Sequence, residues 1–156
     1  MNKPLLIGIG NEYRGDDSVG IEVTRTLEKR LKPTVDVTYC DGDTIHLMEL
    51  WKERESVFLI DAILSQNNEV GKVKIFLPHK EKIPTLFAAS STHLLDVGAT
   101  IELAQTLDNL PKECVLYGIE ATDFSIEHRM SQELKEKLTE ITKTIEEDIR
   151  KKLCMK

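Results

Sequence analysis

Carboxylates follow three separate runs of strand-like composition in this chain. These groups are Asp16 and Asp17 after residues 4–10, Asp41 and Asp43 after residues 35–40, and Asp61 after residues 56–60. If the runs pair as parallel strands, they end on one edge of the sheet, and carboxylates distant in sequence meet there. The pattern therefore predicts a cation site at that edge.

One histidine is placed to add a nitrogen donor to this site. His93 opens a later stretch of helical period, directly after Ser91 and Thr92. The dipole at a helix N-terminus disfavours the imidazolium and keeps a ring nitrogen available for a metal. A histidine in this position, taken alone, is more often a surface or capping-turn residue.

The carboxylates also have simpler interpretations. Asp16 and Asp17 together resemble a helix N-cap followed by a first-turn carboxylate. Asp61 is harder to explain structurally, because it ends one apolar run and precedes another. A carboxylate in such a sequence is expected to be partly buried and therefore hydrogen-bonded, ion-paired or metal-bound.

One carboxylate of the Asp16-Asp17 pair, Asp61 and His93 together form a mixed set of oxygen and nitrogen donors. Such a set suits a borderline divalent ion such as Ni²⁺, Zn²⁺ or Mn²⁺ and leaves coordination positions open. An ion with open positions polarises carbonyls and activates water, so the set predicts metal-assisted hydrolysis. A closed structural zinc site is disfavoured, because the cysteines lack thiolate-ligand spacing.

The elements that position these residues alternate between strand composition and helical period, which is typical of an α/β protein. We predict a three-layer α/β/α architecture with a twisted, mostly parallel five-stranded sheet that contains one antiparallel strand. The last helix carries a stripe of apolar residues that we interpret as core packing. The predicted strands are residues 4–10, 35–40, 56–60, 72–77 and 114–119, and the predicted helices are residues 18–31, 44–52, 93–107 and 131–153.

Length and composition favour a single domain over residues 1–156, with 40% hydrophobic and 31% charged residues. We expect no membrane span and, with no basic flank or cleavage pattern at the N-terminus, a cytoplasmic protein. Three cysteines without CxxC spacing predict reduced thiols, with Cys40 and Cys114 in the core. The net charge of −6, with no basic cluster beyond residues 150–152, argues against nucleic-acid binding.

The glycine-rich turn after the first strand does not predict a nucleotide site. Tyr13 stands where the dinucleotide fingerprint needs its third glycine. A phosphate about 4 Å from a single carboxylate is repelled by about 4 kcal/mol at an effective dielectric near 20, and this turn carries two. We therefore expect no nucleotide cofactor.

Four motifs, in order, resemble those of the [NiFe]-hydrogenase maturation proteases, which trim the C-terminal extension of the hydrogenase large-subunit precursor. Residues 10–20, GNEYRGDDSVG, resemble the family signature GNxxRGDDGxG. Residues 41–44, DGDT, resemble its DGGT segment, and residues 58–63 contain the Asp61-Ala62 pair of its apolar strand. Residues 91–93, STH, resemble its SxH motif.

The resemblance implies that Asp17, Asp61 and His93 are the nickel-contacting and catalytic residues of an endopeptidase. It implies that nickel arrives already inserted in the precursor and is not a permanent cofactor. Asp41 is implied as a group that orients a ligand or acts as general base. The expected partner is a [NiFe]-hydrogenase large-subunit precursor, processed by a monomer.

Two other functions remain open at this point. A nickel-binding maturation chaperone without proteolytic activity would need the same three ligands. A small-molecule binder without metal would need Asp16 and Asp17 only as helix-capping residues. Glu120 and Asp123, after the last predicted strand, would add negative charge to the same edge.

Overall fold

The computed structural model describes residues 2–65, 67–83, 97–125 and 129–155. Within them, strands and helices alternate as predicted, and a short 3-10 helix (Gly15–Ser18) follows the first strand. None of the helices in these ranges is long and apolar enough to cross a membrane. In chain order the other elements are β1 (Leu5–Ile9), α1 (Val19–Leu31), β2 (Asp36–Cys40), α2 (Thr44–Trp51), β3 (Ser56–Leu64), β4 (Val73–Phe76), α3 (Val97–Thr106), β5 (Glu113–Ala121) and α4 (Gln132–Cys154).

The five strands found among the described residues form one sheet in the order β2-β1-β3-β5-β4. Neighbouring strands are parallel except for β4, which pairs antiparallel with β5. The predicted mostly parallel sheet with one antiparallel strand is therefore confirmed. The carboxyl ends of β1, β2, β3 and β5 lie on one edge of this sheet, which we call the carboxyl edge.

Each face of the sheet carries its own apolar core, because successive strand side chains point to opposite faces. Leu6 and Phe58 pack with α1 and α4 on one face, and Ile7 and Leu59 pack with α2 and α3 on the other. The apolar stripe of α4 lies in the first of these cores, as predicted. The result is the expected three-layer α/β/α arrangement.

The prediction that the third strand ends before Asp61 was wrong. β3 continues to Leu64, because its residues 61–64 pair with residues 118–121 of β5, which is also longer than predicted. The segment after Asp61 is apolar and buried at Ala62 and Ile63, so it extends the sheet instead of leaving it. Asp61 thus lies inside a strand.

A glycine brings the start of α1 onto the ends of two strands. A β-carbon at Gly20 would lie 2.5 Å from the carbonyl oxygen of Ile9 and 2.6 Å from that of Ile60. Any larger residue would push the helix away from the sheet. Gly20 therefore allows the segment just before α1, which carries Asp16 and Asp17, to approach the ends of β1 and β3.

Candidate active site

Asp17 is held over the end of β1 by the backbone around it. It lies in the 3-10 helix, is 8% exposed, and its Oδ2 accepts a hydrogen bond of 2.9 Å from the backbone N–H of Asn11. The carbonyl of Asp17 lies so close to Gly10 that a β-carbon there would clash with it, and Gly10 has a φ of +151°. The Asn11 hydrogen bond fixes the orientation of the Asp17 carboxylate.

Asp61 reaches the same edge from inside the sheet. It is 6% exposed and pairs with Gly118 of β5, one residue beyond the pairing of Ile60 with Gly8 of β1. Strand alternation directs its side chain to the face covered by α2 and α3, as for Leu59. Because Gly20 packs against the carbonyl of Ile60, the structure brings the segment that carries Asp17 to the part of β3 that carries Asp61.

His93 lies outside the described residues, so its contacts with Asp17 and Asp61 stay a prediction. The described part of α3 begins four residues later, at Val97. Val97 packs in the α2 and α3 layer, on the face of the sheet that Asp61 also faces.

Asp16, the neighbour of Asp17, has a structural role. It is fully buried, and its carboxylate accepts backbone hydrogen bonds of 3.3 Å from Thr122, 3.1 Å from Asp123 and 2.7 Å from Ser131. These contacts join the first acidic segment to the end of β5 and the start of α4. The N-cap interpretation of the pair was wrong, since α1 follows Ser18 and has no side-chain cap.

Glu120 is a second buried carboxylate on the face that Asp61 uses. Its side chain is 1% exposed. Its Oε1 lies 3.8 Å from Nζ of Lys74 and 3.5 Å from Oγ of Ser65. Its Oε2 has no hydrogen-bond partner within the described part of the chain. It lies on the strand beside β3, opposite Ile63. A buried carboxylate oxygen without a partner favours a cation or a donor nearby.

Sequence reasoning gave Glu120 only as added negative charge. Its burial was missed because the last strand was predicted to end at Ile119, whereas β5 runs to Ala121. The available signal was alternation, since Glu120 follows Cys114 and Leu116 at even spacing along the strand. Both of those residues pack on the α2 and α3 face.

The turn between β2 and α2 brings together residues that the sequence analysis treated separately. Cys40 is buried, as predicted, and His46 is exposed, yet Sγ of Cys40 lies 3.8 Å from Nδ1 of His46. Burial raises the pKa of the Cys40 thiol above its usual value, and the carboxylates of Asp41 and Asp43 add to this rise. A thiol is therefore the expected form at neutral pH.

The described part of the carboxyl edge thus carries the buried carboxylates of Asp17, Asp61 and Glu120, which all contribute negative charge. Such an edge attracts a cation and repels a phosphate.

The sequence profile of the family described as "Hydrogenase maturation protease" matches residues 21–148, which is well over half of the chain. The chain belongs to the hydrogenase maturation protease family. The matched range includes Asp61 and His93 and begins after Asp17.

Relatives and solved structures agree with this family. The hydrogenase 2 maturation protease of Escherichia coli K12 is 28% identical over 118 residues, which cover 74% of this chain and 71% of that protein. The hydrogenase maturating endopeptidase HybD from E. coli superposes with a TM-score of 0.76 at 19% identity, covering 96% of this chain and 93% of that one. The [NiFe] hydrogenase maturation protease HycI from Thermococcus kodakarensis KOD1 gives a TM-score of 0.65 at 25% identity, covering 94% and 91%. This family member therefore shares their fold.

Proposed function

We propose that this family member is an endopeptidase that removes the C-terminal extension of a [NiFe]-hydrogenase large-subunit precursor after nickel insertion, and that it recognises the bound nickel. The observation that supports this most is the placement of Asp17 and Asp61 as buried carboxylates at one edge of the sheet. Membership of the maturation protease family supports the hydrolytic activity.

Two of the proposed ligands, Asp17 and Asp61, each have a distinct structural support. Asp17 is oriented by the Asn11 amide, and Asp61 is fixed by the pairing of β3 with β5. His93, in the segment before α3, would supply the nitrogen donor. Oxygen and imidazole donors of this kind suit nickel and leave positions for ligands that come from the precursor.

In the proposed reaction the nickel belongs to the substrate. Nickel held between the precursor and these side chains polarises the scissile carbonyl for attack by water. The acidic edge keeps the ion in place through Asp17 and Asp61, while Glu120 adds negative charge from the neighbouring strand. A precursor without nickel lacks the contact that favours productive binding, so cleavage acts as a checkpoint on metal insertion.

The checkpoint is tested with nickel-loaded and nickel-free precursor. We expect the loaded precursor to be trimmed at least about 100-fold faster, since the metal supplies both the contact and the polarisation. His93→Gln should lose this activity. His79→Gln is the matched control, because His79 is an exposed histidine whose Nε2 lies 2.7 Å from the carbonyl of Pro111, near the start of β5.

The released peptide is measured by mass spectrometry. Equal trimming of the two precursors would contradict nickel recognition, and full activity of His93→Gln would contradict its role as a ligand. Nickel binding without any change in precursor mass would instead indicate a maturation chaperone that does not cleave.

The setting of this reaction is also part of the proposal. We infer that the protein acts in the cytoplasm on the precursor and functions as a monomer. The cysteines support a reducing compartment, since Cys40, Cys114 and Cys154 are free thiols in the structure.

A further inference from the structure

A group of three side chains whose types can ligate metals lies at the end of β2, beside the candidate active site. One donor atom each from Cys40, Asp41 and His46 lies within 4.8 Å of the others. Sγ of Cys40 and Nδ1 of His46 are 3.8 Å apart. A thiol, a carboxylate and an imidazole thus face a common point.

The local backbone holds these three side chains in place. Oδ1 of Asp41 accepts a hydrogen bond of 3.0 Å from the N–H of Asp43, and Oδ1 of Asp43 accepts one of 2.8 Å from the N–H of His46. The first bond closes the turn, and the second caps α2. Because the cap carboxylate belongs to Asp43, that of Asp41 is not used to cap the helix.

We propose that Cys40, Asp41 and His46 form a second metal site, which binds a borderline divalent ion such as Zn²⁺ or Ni²⁺ while the Cys40 thiol releases its proton to solvent. The sulfur, nitrogen and oxygen donors together favour such ions over Mg²⁺ or Ca²⁺, which prefer oxygen ligands alone. Three protein ligands leave a fourth tetrahedral position open. Cys40 is buried, whereas Asp41 and His46 are exposed, so the ion is reached from solvent.

This second site is joined to the candidate active site through the end of β1. The N–H of Gly10 donates a 3.0 Å hydrogen bond to the carbonyl of Cys40, and the next amide, of Asn11, donates to Asp17. An ion at Cys40 would therefore stiffen the turn that borders Asp17.

Cobalt(II) provides the test, because a cobalt–thiolate bond gives a charge-transfer absorption that carboxylates and imidazoles do not produce. We expect this absorption when cobalt is titrated into the purified, reduced full-length protein, and its displacement by zinc. Cys40→Ser should abolish the sulfur band. His46→Gln, a change at an exposed position, should weaken cobalt affinity by at least about 10-fold.

The controls separate this site from other thiols and from the candidate active site. Cys154→Ser should leave the band unchanged because Cys154 is an exposed thiol in the last turn of α4. Asp61→Asn should also leave it unchanged, although that variant is expected to lose cleavage. Absence of a sulfur band in the unmodified protein, its persistence in Cys40→Ser, or unchanged affinity in His46→Gln would each overturn the proposal.

Discussion

Asp61→Asn is expected to lower kcat/KM for cleavage of the nickel-loaded precursor by at least about 100-fold while the protein remains folded. The amide keeps the volume of the buried carboxylate but removes the charge that would contact the ion. Because Glu120 is a second buried carboxylate on the same face of the sheet, loss of the Asp61 charge also removes a like-charge repulsion. Initial cleavage rates and thermal unfolding of the same preparations measure both effects.

Asp108→Asn is the matched control for this substitution. Asp108 is exposed, lies just before β5 begins at the opposite edge of the sheet, and has a φ of +54°, which asparagine adopts readily. Its cleavage rate should equal that of the unmodified protein. Undiminished cleavage by folded Asp61→Asn would show that Asp61 is not required for the reaction.

Asp16→Ala is expected to have a large effect on stability, lowering the free energy of unfolding by about 3 to 5 kcal/mol. The substitution leaves the backbone N–H groups of Thr122, Asp123 and Ser131 without their acceptor. It also removes the side-chain hydrogen bonds that join the 3-10 helix to the end of β5 and the start of α4. Urea unfolding followed by circular dichroism measures the loss.

Asp43→Ala provides the comparison for Asp16→Ala. Asp43 is exposed and caps α2 through a single hydrogen bond to the N–H of His46, so its replacement should cost about 1 kcal/mol. If Asp16→Ala lowers the free energy of unfolding by no more than Asp43→Ala does, the buried Asp16 carboxylate does not hold these segments together as proposed.

The architecture could be predicted because its signals are local. Apolar runs bounded by turns marked the strands, and the period of the last helix marked its buried face. The antiparallel direction of β4 was predicted, and its partner in the sheet is β5. The end of β3 was not predicted, because Asp61 interrupts the apolar run. The pairing of residues 61–64 with β5 is a long-range contact that the local sequence does not reveal.

The candidate site was predictable in part. The carboxyl edge collects Asp17 and Asp61 because parallel strands share a direction, and that is a consequence of topology. The structural role of Asp16, as opposed to that of Asp17, was not predictable, because it depends on hydrogen bonds with residues more than 100 positions away. The approach of His46 to Cys40 depends on the exact turn between β2 and α2.

The most direct test of the central claim is a crystal structure of the protein soaked in nickel, measured at the nickel absorption edge. We expect an anomalous peak at the carboxyl edge, with carboxylate oxygens of Asp17 and Asp61 and a ring nitrogen of His93 at about 2.0–2.2 Å from the ion. An ion bound beside Cys40 would give a separate peak. Side chains of Asp17, Asp61 and His93 that lie more than about 10 Å apart, with no shared ion, would contradict the proposed nickel contact.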